Sequence, residues 1–321
     1  MGIMSSCGSI ELLSYDQLSP AEIFLPNQIN QIGVVNNMPL RSEPRRDILT
    51  LGIMDGNGKD CAEELAGKLA DSKYFEQVVI CDSAIQSQQV GPVDNYSSQL
   101  SKNQVQSLID QLGVDMLVSF EHLWIQVSKQ EVQYPGWETY VPLLQAKYTP
   151  VVRLYIPERN QPMLTINLTD SLHWNLGSGI SEKQVLEEVT SVAAEQVADK
   201  MVPTWGATER FFFTGGCVEM RDAAVSVHEN DWKMAQETWK ELYNRLKKGS
   251  TKMRAAYNIA LSYEMLGDVE TAEQWIEKAG KLIKGDSQEA LLVKQYSETL
   301  SVRKTEMANL RIQMDRFKNN F

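Results

Sequence analysis

Apolar and polar positions follow two rhythms along this chain. Between residues 30 and 213, short β-branched runs alternate with segments of helical period. The run "INQIGVVNN" reads as a buried strand, and "RRDILTLGIMDGNGKD" holds a second short apolar segment. "DCAEELAGKLADSKYF" places Ala62, Leu65, Ala66 and Leu69 on one helical face, with Asp60 and Glu63 as a capping-box-like start. "EQVVIC" reads as the next strand. "SKNQVQSLIDQLG" repeats the helical pattern through Val105, Leu108, Ile109 and Leu112, and Gly113 supplies its C-cap. "VDMLVSFEHLWIQV", "YTPVVRLYIPE" and "PMLTINLTDSLHW" read as strands, the last two joined as a hairpin through "PERNQP". "SEKQVLEEVTSVAAEQVADKMVP" is a long amphipathic helix that stops before Pro203.

The order βαβα, then antiparallel strands, then α, predicts an α/β sandwich with a mixed sheet over residues 30–213. Residues 1–29 read as a tether and lead-in. Residues 214–321 contain no proline after Gly216 and are helical throughout. The fold class expected is therefore α+β, a sandwich followed by an all-α repeat domain. The sandwich's element order resembles the N-terminal domain of envelope proteins of the curli-secretion and TolB type.

The helical third repeats itself. "AAVSVHENDWKMAQETWKELYNRL" aligns on "AAYNIALSYEMLGDVETAEQWIEKAGKLI". Ala223 matches Ala260, Asn230-Asp231 matches Gly267-Asp268, Ala235 matches Ala272, Trp239 matches Ile276 and Leu242 matches Ala279. The second copy resembles a tetratricopeptide repeat at Ile259, Ala260, Tyr263, Gly267, Ala272, Ile276 and Ala279. The resemblance implies that Ala260 and Ala272 let two helices cross closely, that Gly267 makes the turn between them, and that Tyr263 and Ile276 fill the seam with the next helix. The spacing is longer than the family's usual repeat of about 34 residues, Lys284 stands where the family often has proline, and two copies are clear. The final helix is expected to cap the array.

Composition narrows the partners. The chain has 321 residues, 43% hydrophobic and 23% charged, with a net charge of −11. Such an acidic chain repels phosphate backbones, and its basic clusters, "RSEPRRD" and "RLKKG", lack the spaced aromatics that stack bases. No nucleic-acid partner is expected, and no apolar run approaches the length of a membrane span.

One cysteine changes the picture. "IMSSCGS" places Cys7 behind small residues and before Gly-Ser. This resembles the end of a bacterial lipoprotein signal peptide, whose cysteine thiol accepts diacylglycerol. The resemblance implies a lipid anchor on Cys7 and an envelope location, on the outer membrane or its periplasmic face. The charged and apolar stretches of a full signal peptide do not precede it here. An unmodified Cys7 with a true start at Met1 would instead mean a cytoplasmic protein. Cys61, Cys81 and Cys217 form no CxxC pair and read as small buried hydrophobes, with Cys61–Cys81 the one bridge to consider. "DSA" at 82–84 and "DSL" at 170–172 resemble acceptors of an envelope O-glycosylation system.

The motifs of catalysis are missing. "GIMDGNGKD" has the wrong glycine spacing for a phosphate loop, and Asp60 stands where Ser or Thr should hold a metal. As a calcium loop it fails at Lys59 and Ala66. His122, His173 and His228 have no second ligand at metal spacing, and His122 next to Glu121 in a strand should point to the opposite face. No cofactor, metal or catalytic residue is assigned. The stretch "VPTWGATERFFFTGG" puts Trp205, Arg210, Phe211 and Phe213 at the domain junction, as packing or as a binding edge; Trp232, just after a turn, could be exposed.

The expectation is a non-enzymatic lipoprotein scaffold whose repeats present a concave surface to a protein or peptide. Two alternatives stand beside it: a subunit of a secretion or pore-like assembly that oligomerises through the α/β domain, and an unanchored cytoplasmic repeat adaptor.

Overall fold

The computed structural model describes residues 10–39, 49–81, 99–133, 136, 139–176, 179–283 and 285–315. Cys7, the basic cluster at 41–47, the 82–84 acceptor and Lys284 lie outside the described residues. The chain is α+β, as the pattern predicts. It forms two compact units, one over Ala21–Thr204 and one combining the N-terminal residues to Pro20 with Trp205–Asp315. The first strand, β1 (Ile10–Ser19), belongs to the second unit.

The sheet unit contains β2 (Gln31–Asn36), β3 (Gly52–Asp55), α1 (Gly58–Asp71), β4 (Gln77–Cys81), α2 (Lys102–Leu112), β5 (Met116–Val132), β6 (Val141–Tyr155), β7 (Leu164–Asn167), β8 (Asp170–Asn175) and α3 (Glu182–Met201). Strand order is β4-β2-β5-β6-β7. β2 runs parallel to β4 and β5, and β5–β6–β7 is antiparallel. β3 continues the sheet beside β5, and β8 beside β6. Helices α1 and α3 cover one face. Their Leu65, Leu69, Val185, Val189 and Ala193 pack on Ile32, Val34, Val118, Phe120 and Val152. Helix α2 covers part of the other face through Val105 and Ile109, against Val35, Leu117 and Tyr155. These alternating strand positions supply both cores, as a sheet covered by helices requires.

The helix ends show how local sequence sets the frame. Ser101 with Gln104, and Ser181 with Gln184, form full capping boxes for α2 and α3. Gly113 ends α2 in the left-handed region at φ 66°. The start expected at Asp60 lies earlier: Asn57 caps α1, its Oδ1 accepting from Lys59 N at 2.9 Å. The reason is a close approach, since a Cβ on Gly58 would lie 2.3 Å from Asn36 Oδ1. The first turn can therefore pack on β2 only with glycine there.

The second unit pairs β1 with β9 (Thr204–Phe213) in a two-stranded ribbon. Five helices follow: α4 (Val218–His228), α5 (Trp232–Arg245), α6 (Ser250–Met265), α7 (Val269–Lys281) and α8 (Gln288–Met314). The compact units divide at Pro20 and Thr204, beside the domain boundaries expected at 29 and 213. The lead-in contains a strand, and β9 belongs with the helices. Ile10 and Leu13 pack on the helical core, whereas Leu12, Ser14 and Asp16 face out, so "IELLSYDQLS" is an amphipathic strand and not a tether.

Candidate functional site

The helical unit is built from two matching hairpins. At the α4–α5 turn, Glu229 N donates to Val225 O, Asn230 N to Val227 O and Asp231 N to Ser226 O. At the α6–α7 turn, Leu266 N donates to Ser262 O, Gly267 N to Glu264 O and Asp268 N to Tyr263 O. The bonds correspond one for one. Asn230 and Gly267 both occupy the left-handed region, at φ 60° and 85°. Asp231 and Asp268 then cap the second helices by accepting from Met234 N and Thr271 N.

The residues singled out from the repeat line its core. Ala223, Ala235, Trp239, Leu242, Ile259, Ala260, Ala272, Ile276 and Ala279 are buried in one cluster. Small alanines at the crossings bring the helix axes together, and Trp239 fills the space between them. Tyr263 is half-buried against the helical core and reaches α5: its hydroxyl accepts from Lys240 Nζ at 2.9 Å, and that ammonium sits 4.6 Å from the ring centroid. Trp232 is buried, against the expectation of exposure, with Nε1 donating to Asn230 Oδ1 at 2.9 Å. The turn folds the indole back onto its own hairpin.

The ribbon lies across the first helix of each hairpin and across α8. Among the described residues, its polar and ring contacts to helices go to α4, α6 and α8. Glu11 meets His228 at 3.1 Å, and Phe212 meets the same ring edge-on. Asn258 on α6 clasps the backbone of Phe213, accepting from its N–H at 2.9 Å and donating to its carbonyl at 2.6 Å. Arg303 on α8 donates to the Leu18 carbonyl at 2.8 Å. The α4/α6/α8 face of the helices is thus covered by the chain's own strands.

A buried ion pair fastens this arrangement. Arg210 is forked onto Glu264, with Nε at 3.1 and 3.2 Å from the two oxygens and Nη2 at 2.8 Å from Oε1. Tyr296 donates to Glu264 Oε2 at 2.7 Å and Tyr15 to Oε1 at 3.4 Å. Burial opposes the Arg210 charge, but the hydrogen bonds and attraction of Glu264 outweigh it, so its pKa stands above the ordinary arginine value. Burial and the Glu264 charge push the Tyr15 and Tyr296 phenols well above the ordinary tyrosine value. The "RFFF" stretch therefore divides. Arg210 and Phe213 are buried, whereas Phe211 is 45% and Trp205 71% exposed. Leu12 on β1 is 50% exposed as well.

The sheet unit holds a second buried carboxylate that sequence reasoning passed over. The β5–β6 register shifts between Phe120 and His122, so Glu121 is an extra residue in a β-bulge. The bulge overturns the expectation that Glu121 and His122 face opposite ways. Both lie on the α2 side of the sheet. Glu121 is 1% exposed and accepts from Asn37 Nδ2 at 2.8 Å, Arg153 Nη1 at 3.4 Å and Tyr155 Oη at 3.4 Å. Burial first, and the Glu121 charge next, push the Tyr155 phenol up to about 12. His122 stacks on Trp124 and approaches Asp55 at 3.5 Å. The group sits where β2 ends and its parallel pairing with β5 stops, at Asn36 and Phe120, while β5 runs on to Val132.

Cys61, Cys81 and Cys217 are thiols and not half-cystines, so the Cys61–Cys81 bridge does not form. Burial pushes the Cys61 thiol up to about 12, which marks it as an inert core residue. No cluster of three or more metal-ligating side chains occurs among the described residues, and no described helix is long and apolar enough to cross a membrane.

These two units define a chain that joins a mixed sheet to a ribbon-backed helical array. Residues 29–213 match the family described as "Domain of unknown function (DUF8603)", and the chain belongs to that family. Residues 221–302 match a second, "Domain of unknown function (DUF6340)". No curated protein matches the chain. Among solved structures it is similar to the PelC dodecamer from Paraburkholderia phytofirmans at 12% identity, covering 60% of this chain and 99% of that one, with a TM-score of 0.28. It is also similar to a minor lipoprotein from Acinetobacter baumannii (9% identity, 55% and 90% covered, TM-score 0.26). The third is uncharacterized lipoprotein B from Nitrosomonas europaea (11% identity, 56% and 84% covered, TM-score 0.26).

Proposed function

We propose that this chain is a non-enzymatic envelope protein, lipid-anchored through Cys7, that works by docking another protein on the outer face of its β1–β9 ribbon. One observation carries the reading: the ribbon fills the α4/α6/α8 face yet leaves Trp205, Phe211 and Leu12 in solvent. Large exposed aromatics on a rigid ribbon are the residues that anchor protein interfaces. The helical hairpins, read as tetratricopeptide-like from Ile259, Ala260, Tyr263, Gly267, Ala272, Ile276 and Ala279, then act as the brace that holds this face and not as the groove itself. Cys7 lies close ahead of Ile10 in sequence, so a lipid there would keep the ribbon near the membrane.

The test has two arms. The protein is expressed from its gene with the upstream DNA intact, and its N-terminus is read by mass spectrometry. Diacylglyceryl-modified Cys7 is the expected result, and an unmodified Cys7 removes the anchor. A photo-reactive residue at position 205 or 211 should then trap one protein in the envelope fraction. Trapping only from the exposed Met234 on α5 would remove the ribbon from the account.

A further inference from the structure

The sheet ends in an edge with an open groove beside it. β7 is the last strand in its order, so one side of its backbone has no strand partner among the described residues. Its sequence, LTIN, carries no lysine or proline to blunt the edge, and only its shortness does so. Facing it is the segment 22–26, which is held in place at both ends. Ile23 N donates to Lys200 O at 2.9 Å, Glu22 pairs with Lys200 Nζ at 2.5 Å, and Ile29 N closes a turn on Pro26 O at 3.0 Å. Between the two walls lies a cavity of about 690 Å³. That size falls within the roughly 300–1,000 Å³ of ligand-binding clefts.

The lining combines apolar side chains with the Glu22–Lys200 pair, Thr165, Asn167 and Arg159. Phe24 and Leu164 are 49% and 39% exposed, and Ile166 on β7 is buried in the sheet unit's core. Arg159, in the turn before β7, lines the same groove and has no ion-pair partner among the described residues. The groove is mixed in character: Phe24 and Leu164 share it with the Glu22–Lys200 pair and with Arg159, the cation left without an ion-pair partner among the described residues.

We infer that this groove takes an extended peptide as an added strand on β7, with alternate apolar side chains over Phe24 and Leu164 and a carboxylate on Arg159. Backbone donors and acceptors on β7 supply the pairing, at the usual strand spacing of about 4.8 Å. The unpaired cation supplies the charge complement and fixes the register. This inference rests on the sheet unit alone and stands independently of the ribbon reading.

The test is selection of a random heptapeptide phage library on the purified full-length chain, followed by anisotropy with the enriched peptide. The expected peptides carry an acidic residue beside alternating apolar ones. Arg159→Glu, on an exposed side chain, should weaken binding tenfold or more, and Leu164→Asp likewise. Amide exchange at 164–167 should slow when peptide is added. Failure to enrich any peptide, or binding unchanged in both variants, overturns the inference. So does concentration-dependent self-association abolished by Arg159→Glu, because the occupant would then be a second copy of the chain.

Discussion

Each unit buries one glutamate against an arginine and tyrosine, and the two sites differ in tightness. In the helical unit, Glu264 is gripped by a forked arginine within 3.2 Å and a tyrosine at 2.7 Å. In the sheet unit, Glu121 accepts from Asn37 at 2.8 Å, while Arg153 and Tyr155 stand off at 3.4 Å. Geometry of the first kind repays the desolvation of two charges only because nearly every lone pair is satisfied. It connects residues distant in sequence and locks the ribbon to α6 and α8. The looser site sits on a bulge within β5, just past its pairing with β2, where the backbone has already been bent away from a regular ladder. Similar side chains thus serve as a clamp in one unit and as a softer polar centre in the other.

The largest expected effect separates the two sites. Arg210→Ala leaves Glu264 buried without its cation and should cost about 3–5 kcal/mol. Arg153→Ala, at the longer contact, should cost about 1–3 kcal/mol. Chemical denaturation of the two variants reads the difference, and equal losses would erase the contrast.

Alkaline titration sharpens it. The Tyr15, Tyr257 and Tyr296 phenols are raised by burial and by Glu264, and Tyr155 by burial and by Glu121. Folding favours the neutral phenols, so their contribution is intact below the unfolded value of about 10 and is lost as pH rises through the folded values. Thermal melts from pH 9 to 12 should show both units weakening above pH 10, with the helical unit falling more steeply. Tyr296→Phe should flatten that fall.

Smaller effects test the repeat. Asp231→Ala and Asp268→Ala should each cost about 1 kcal/mol, and the double variant should show the sum, because the turns share no partner. Gly267→Ala should cost about 1 kcal/mol by strain at positive φ, while Asn230→Gly at the matching turn should cost about 1–2 kcal/mol, because the relaxed left-handed backbone only partly offsets the acceptor lost to buried Trp232 Nε1. Unequal responses of the two turns to the aspartate changes would show that their matching bonds carry different loads.

What was legible in the sequence was what is local. The 37-residue offset survives as matching turn bonds because Asn230-Asp231 and Gly267-Asp268 make their own hairpins from nearby atoms. The boxes at Ser101 and Ser181 are equally self-contained. The ribbon was not legible because β1 and β9 lie at opposite ends of the sheet unit's sequence, and neither run names its partner. The alternation of "IELLSYDQLS" was a signal that could have found half of it. The Glu121 bulge leaves no mark in composition: a strand of regular period predicts opposite faces for Glu121 and His122, and only the cross-strand register reveals the extra residue. The exposure of Trp205 and Phe211 beside buried Phe212 and Phe213 likewise follows from where β9 leaves the helices, which the aromatic run alone does not show.

The central claim is that the ribbon permanently occupies the α4/α6/α8 face, so that a partner must use its outer side. Native-state amide exchange measures this directly. The account predicts that β1 amides from Leu13 to Gln17 are as protected as those in α6, and that Arg210→Ala lowers both together. Rapid exchange in β1 beside a protected α6 would contradict it. The ribbon would then be a strap that lifts, and the helical face would be the docking groove after all.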